Sequence, residues 1–395
     1  MKTQRKTTAS WAFELACYLV MLIQGVQFAG YQYSLIYITE EFHLTDTAIG
    51  LLSCMQFLPT LVVPLLCGGL LDRFEKKKIA AVCVGLFAVG CGLIAVSGNV
   101  LLLAGGIGLL VCGTAMLPAL MTTLLAETDP ARSNYYASMT EVFYSIGTVA
   151  SPLMLSLLIR RGMPWYGLYL ALAVGAVGLI AAFLRMRPAI RVELKEALGE
   201  TPEKFRLGTL VLLFIAFGML YTMTEAGFTT FLSTYFARLS DETGASLSIS
   251  IVGLTMVVSR MAAGRIRRHK ERIAAMCAAG AACAALAMAL LPARGVALVW
   301  CVLFGLIAGP CWPMMMSLAI DSFPGSAGRM TTLILAGAGL GGLAVNLGMG
   351  VFSDACGVAV SYLFPAGSAL LCAAVMAGIP LPQKRRRRGL KNAGN

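Results

Sequence analysis

Long apolar runs separated by short polar breaks extend along the whole chain. Twelve of them reach the length of about 20 residues that a helix needs to cross a bilayer. Those in the first half are Trp11–Ile38, Ala48–Leu71, Ile79–Ser97, Leu101–Leu125, Tyr136–Ile159 and Trp165–Leu184. Those in the second half are Leu207–Phe236, Leu247–Ile266, Ile273–Leu291, Val296–Ile320, Met330–Phe352 and Val358–Ile379. The pattern predicts an all-α integral membrane protein with twelve transmembrane helices.

The second half of the sequence repeats the first at an offset of about 194 residues. The basic turn and apolar start Arg73, Lys76, Lys78 and Ile79–Cys83 correspond to Arg267, Lys270, Arg272 and Ile273–Cys277, and Pro118, Glu127 and Pro130 correspond to Pro313, Asp321 and Pro324. Because this offset spans six helices, an even number, both halves have the same orientation in the membrane. We therefore predict a six-helix bundle at residues 1–184, a charged cytoplasmic linker at 185–206, and a second bundle with a basic tail at 207–395.

Composition agrees with this assignment, since 58% of the residues are hydrophobic and 13% are charged, against about 25% charged in soluble domains. No short apolar segment with a small-residue cleavage site precedes Trp11, so we expect the first helix to be retained. The twelve cysteines stand singly in apolar runs without a CxxC spacing, which indicates helix packing rather than a metal site or disulfide framework.

The distribution of basic residues predicts the orientation. With both termini in the cytoplasm, 27 of the 31 Lys and Arg residues lie on that side, and only Arg160, Arg161, Arg238 and Arg294 lie outside. This asymmetry is the positive-inside rule. It predicts a multi-pass protein of the plasma membrane, as in a bacterial inner membrane, with anionic-lipid contacts at the basic run Arg385–Arg388. It also accounts for the net charge of +12 without nucleic acid as a partner.

Two acids lie clearly inside predicted helices, Glu141 in the fifth and Glu225 in the seventh. Such a residue costs at least about 2.5 kcal/mol at the bilayer centre on insertion scales, and it is a candidate functional group. A carboxyl group in a low-dielectric interior favours its neutral form, so both are candidates for proton coupling, with Glu225 the more deeply placed. A hydrogen bond from Glu225 to a neighbouring helix is the structural alternative. We find no Lys or Arg in the middle of any run, so an anionic substrate has no predicted counter-charge.

Polar residues recur at helical spacing on two of the predicted helices. Gln24, Gln27 and Tyr31 are spaced i, i+3, i+7, and Tyr221, Glu225 and Thr229 are spaced i, i+4, i+8. Each set lies on one helix face. Amides and phenols suit a neutral, hydroxyl-rich ligand through directional hydrogen bonds, whereas hydrogen bonding between helices is the alternative role for the glutamines.

The loop after the second helix carries a recognisable motif. Residues Gly68 to Lys77 read GGLLDRFEKK, which resembles the G-x-x-x-D-R-x-G-R/K-R/K signature of the major facilitator superfamily, with Glu75 where that family has Gly. A partial second copy keeps Arg260, Gly264 and Arg265. The resemblance implies the major facilitator fold and a cytoplasmic latch formed by Gly68, Asp72, Arg73 and Lys76 with the residues of the second copy. A purely orienting basic loop is the alternative.

A narrower resemblance involves Tyr221–Phe228 and Gly309–Pro313, which look like the seventh and tenth helices of the fucose- and glucose-type sugar permease branch. In this superfamily the first, fourth, seventh and tenth helices line a central cavity. The resemblance therefore implies a substrate site formed by the two polar faces together with Thr114, Trp312 and Met316.

The sequence thus favours a secondary transporter of a small organic solute, coupled to protons or another ion and acting as a monomer. A symporter of a neutral sugar or similar polar metabolite is the first hypothesis, and a proton-antiport exporter of drugs or metabolites is the second. A membrane enzyme is disfavoured, because His43 and His269 lie in opposite loops and no nucleophile or metal cluster is present. We expect no catalytic residues, bound metal or cofactor, and no Walker motif points to ATP.

Overall fold

The computed structural model describes residues 9–67, 74–128, 132–185, 208–239, 242–263, 266, 269–323 and 327–379. All regular secondary structure in these residues is helical, and the helices form twelve successive spans. The first six spans are Ala9–Phe42; Asp46–Cys54 with Leu58–Cys67; Lys76–Ala95; Val100–Thr114 with Leu117–Thr128; Ser133–Arg160; and Gly167–Arg185. The last six are Thr209–Thr230 with Leu232–Arg238; Glu242–Ala263; Lys270–Leu290; Arg294–Ala308 with Cys311–Ser322; Ala327–Cys356; and Val358–Ser361 with Leu363–Gly378.

Eleven of these spans are long and apolar enough to cross a membrane, and the sixth contains the shorter apolar helix Gly167–Phe183. The predicted fold class is therefore confirmed. Successive spans run in opposite directions, so the first begins and the twelfth ends at the same membrane face, which we call the terminal face. Most of the predicted linker at 185–206 lies outside the described residues, and its boundaries stay a prediction.

Span pairing repeats between the two halves. The first span packs against the fifth as the seventh packs against the eleventh, and the third packs against the sixth as the ninth packs against the twelfth. Glycine permits the closest of these contacts, because a Cβ on Gly25 would lie 1.9 Å from the Tyr144 carbonyl oxygen. Contacts between the halves involve mainly the second span with the eleventh and the fifth with the eighth.

Five spans are interrupted by a short turn, which the apolar pattern did not predict. In four of them a proline lies at or just after the break: Pro59, Pro118, Pro310 and Pro365. Proline lacks a backbone N–H and is accepted in the first turn of a helix but not in its interior. The breaks in the second and fourth spans place Gln56, Phe57 and Ala115 beside the central cavity described below.

Large apolar side chains cover much of the outer surface of the bundle, including exposed Leu66, Val82, Leu101 and Val174. Soluble monomers rarely expose apolar patches of this extent. These side chains are therefore placed to contact lipid, as the sequence predicts.

Candidate functional site

A cavity of about 360 Å³ lies between the two halves. The first, second, fourth and fifth spans supply its wall on one side, and the seventh, eighth, tenth and eleventh spans supply it on the other. Because each half contributes a wall, movement of one half against the other changes access to the cavity.

The first span contributes an amide-rich wall. Gln24, Phe28 and Gln32 line the cavity at i, i+4 and i+8, and Gln27 also reaches the wall, where its Nε2 lies 3.5 Å from Gln56 Oε1. Tyr31 is placed elsewhere. It is buried, and its hydroxyl lies 3.1 Å from Ser53 Oγ of the second span. The cavity face is thus rotated from the predicted one, toward Gln32.

The seventh span contributes Thr222, Glu225, Ala226 and Thr229. Gln32 Nε2 donates a hydrogen bond to Thr229 Oγ1 at 3.0 Å, and this bond joins the first half to the second across the cavity. Thr229 in turn donates to the Glu225 carbonyl oxygen at 2.9 Å. The predicted polar face of this span therefore does reach the cavity at Glu225 and Thr229.

Aromatic residues form the wall near the tenth span. Trp312 lines the cavity, and its ring centroid lies 5.6 Å from that of Tyr221 and 5.9 Å from that of Phe217. Tyr221 itself is buried behind this wall, with its hydroxyl 3.5 Å from the Ala308 carbonyl oxygen. Met316 also lies outside the cavity wall, packed against the core of the second half. Thr114 lines the cavity at the end of its helix.

An ion pair lies in the cavity wall. Arg260 Nη2 is 2.9 Å from Glu225 Oε1, and the two side chains are 24% and 31% exposed. The sequence motif assigned Arg260, near the end of the eighth span, to the latch, and that role stays a prediction. Its pairing with Glu225 was not predicted, because no basic residue lies near Glu225 in the sequence. The long Arg260 side chain extends from the last turn of its helix to the middle of the seventh span.

Glu141 is the third charged residue in the wall, and its side chain is exposed to the cavity. Within the described part of the chain it forms no hydrogen bond or ion pair. The described wall thus holds two carboxyl groups, Glu141 and Glu225, and one guanidinium group, Arg260. A proton, an inorganic cation or a cationic solute can bind at the carboxyl group that Arg260 does not contact.

Five of the predicted latch residues, Gly68, Asp72, Arg73, Gly264 and Arg265, lie outside the described residues. Lys76 begins the third span. The latch therefore stays a prediction from the sequence motif. No group of three or more His, Cys, Asp or Glu side chains suited to a metal ion occurs among the described residues.

The sequence matches the family model described as the Major Facilitator Superfamily over residues 17–345. The chain belongs to the major facilitator superfamily. Membership identifies it as a membrane transporter rather than an enzyme, in agreement with the cavity between its halves. No curated protein sequence shows significant similarity to the chain.

Solved structures of other transporters share the fold. The inward-open xylose transporter XylE from E. coli superposes with a TM-score of 0.78 at 15% identity, covering 94% of this chain and 96% of XylE. The nucleoside transporter NupG gives 0.73 at 15% identity, covering 94% and 99%. A bacterial homologue of the human lysosomal transporter Spinster, inward-facing and occupied, gives 0.72 at 12% identity, covering 93% and 96%. At these identities the likeness establishes the fold alone.

Proposed function

We propose that this superfamily member is a secondary active transporter that moves a small polar organic solute by alternating access, coupled to protons. The observation that carries the proposal is the ion pair of Arg260 with Glu225 in a cavity shared by both halves. A titratable carboxylate beside the solute site gives protonation a direct effect on the site.

A neutral sugar or similar polar metabolite is the proposed substrate class. The cavity volume lies near the lower end of the range of about 300–1,000 Å³ for ligand pockets, which favours a small solute over a bulky drug. Glutamine amides at the wall provide directional donors and acceptors, and Trp312 provides a stacking surface. XylE and NupG, which share the fold, are described as xylose and nucleoside transporters. The fucose- and glucose-type branch remains our proposal from the motifs of the seventh and tenth spans.

Coupling is proposed to act through Glu225, with Glu141 as the second candidate group. Protonation of Glu225 removes the charge that holds Arg260 at 2.9 Å. The freed guanidinium then becomes available to the solute or to Glu141 across the cavity. Proton occupancy and the hydrogen-bonding capacity of the solute site thus change together.

A proton-antiport exporter of drugs or metabolites is the second candidate. The second carboxyl group of the cavity wall, Glu141, favours it, because this group can hold a cationic solute or a proton but not both. Competition between a proton and a cationic solute for one carboxylate is sufficient for exchange of the proton for the solute across the membrane.

Growth and susceptibility screens separate these candidates. If the chain is an importer of polar metabolites, loss of the protein impairs growth on at least one single carbon source and leaves a panel of cationic drugs equally toxic. Increased sensitivity to cationic drugs with normal growth on every carbon source would instead support the exporter.

Both termini are proposed to be cytoplasmic, with the protein in the plasma membrane as a monomer in contact with anionic lipids. The charge asymmetry of the sequence supports this orientation. A reporter protein that is active only in the cytoplasm is expected to be active when it is fused after Asn395. Activity of a reporter that works only outside the cell would overturn the topology.

The latch at the terminal face is also proposed, on the sequence motif alone. We expect Asp72→Asn to shift the resting population toward the state open at that face. Loss of one charged contact, about 1–3 kcal/mol, changes a balanced equilibrium by about fivefold to a hundredfold. Labelling of cysteines introduced on both faces measures the shift, and unchanged labelling at normal expression would count against the latch.

A further inference from the structure

A charged cluster joins the two halves at the face opposite the termini. Asp46, the first residue of the second span, accepts a hydrogen bond from Arg238 Nη2 at 2.5 Å and another from Ser353 Oγ. Arg238 ends the seventh span, and Ser353 lies near the end of the eleventh. The Asp46 side chain is only 3% exposed, so its charge depends on these partners from the other half.

Asp354, next to Ser353, adds a second contact between the same two spans. Its carboxylate oxygens accept hydrogen bonds from the backbone N–H of Asp46 at 2.9 Å and of Thr47 at 2.8 Å. These N–H groups belong to the first turn of the helix Asp46–Cys54, where they have no partner within the helix and carry partial positive charge. Asp354 therefore caps a helix of the first half with a side chain of the second.

The helix backbones touch beside this cluster. A Cβ on Gly50 would lie 2.4 Å from the Asn346 carbonyl oxygen, and one on Gly350 would lie 2.6 Å from the Asp46 carbonyl oxygen. Backbone contact this close leaves no passage between the second and eleventh spans at this level. The polar cluster thus lies beside a closed contact between the second and eleventh spans at Gly50 and Gly350, which we call the seam.

We propose that Asp46, Arg238, Ser353 and Asp354 form a latch that holds the cavity shut at the opposite face and opens when the transporter turns to that side. The second and eleventh spans are antiparallel, so the start of each lies beside the end of the other. The end of the eleventh span supplies Asp354 to the start of the second. At the terminal face, the sequence motif after the second span predicts another latch, at Asp72. If both exist, only one of the two latches is closed in each state.

Native Cys54 reports the state of the seam. It is buried, and its Sγ lies 3.5 Å from the Leu343 carbonyl oxygen of the eleventh span, below the cluster. In a variant that retains Cys54 as its only cysteine, embedded in nanodiscs, the rate of reaction with a hydrophilic maleimide measures how often the seam opens.

We expect Asp354→Asn and Asp46→Asn each to raise this rate by about tenfold or more, since each removes charge-assisted hydrogen bonds between the halves. The matched control is Glu41→Gln. Glu41 is a carboxylate near the same face that accepts a hydrogen bond from Trp165 Nε1 within the first half, and its removal should leave the rate unchanged. Asp354 is exposed, so its variant is expected to fold even if loss of the buried Asp46 charge prevents folding. Rates in Asp354→Asn equal to those of the parent, or raised equally in Glu41→Gln, would overturn the latch.

Discussion

Glu225→Gln is expected to abolish solute accumulation driven by a pH gradient while leaving solute exchange between equilibrated sides largely intact. Glutamine preserves the shape and hydrogen bonding of the side chain but fixes the neutral state, so Arg260 is released permanently. Exchange requires the halves to move without net proton transfer, and this variant still permits it. With one proton per solute, a gradient of one pH unit sustains about tenfold accumulation, and the ratio should fall to one.

The outcome of this variant distinguishes three roles for Glu225. Accumulation at the normal level would show that another group carries the proton, Glu141 being the second candidate, or that another ion is coupled to transport. Loss of solute binding itself would make Glu225 a solute ligand, and the exporter of cationic compounds would gain support. Glu41→Gln is the matched control, since it removes a carboxylate that binds Trp165 outside the cavity.

Arg260→Gln is expected to stop coupled transport and to destabilise the protein, whereas Arg260→Gln combined with Glu225→Gln should regain much of the lost stability. Removing Arg260 alone leaves the Glu225 carboxylate without its partner at 2.9 Å in a largely buried wall. Breaking a charged hydrogen bond in this way costs about 1–3 kcal/mol. Neutralising both residues removes the unpaired charge, so the two substitutions should not be additive.

Thermal unfolding in one detergent measures this effect as the apparent Tm of the parent, both single variants and the double variant. We expect the lowest Tm for Arg260→Gln and an intermediate or parental Tm for the double variant. A double variant whose loss of stability equals the sum of the single losses would contradict a functional ion pair between these two side chains.

The spans could be predicted because each depends on local apolar composition, which a single stretch of sequence contains. Arg260 could not be placed, because its position near a helix end gave no sign that its side chain extends to the seventh span. The amides Gln32 and Gln56 were missed for related reasons. Gln32 lies one residue beyond the predicted polar face, and Gln56 lies at a helix break that only the neighbouring Pro59 signalled.

The contacts between the two halves also could not be predicted from the sequence. Asp46 and Arg238 lie at the ends of separate spans, where charged residues are ordinary. Only the packing of the second span and of the seventh span against the eleventh brings them together. The periodicity of the first span predicted a polar face but not its rotation, because rotation depends on the neighbouring spans. In the structure Tyr31 faces the second span, where its hydroxyl lies 3.1 Å from Ser53 Oγ.

Solute-driven proton movement in proteoliposomes tests the central claim most directly. Purified protein is reconstituted with a pH-sensitive dye in the lumen, without a pH gradient, and a panel of sugars, nucleosides and cationic amines is added outside. The account predicts that at least one neutral polar solute enters together with protons and acidifies the lumen, and that Glu225→Gln removes the acidification. Entry of such a solute at the full rate without any change in lumenal pH would contradict proton coupling.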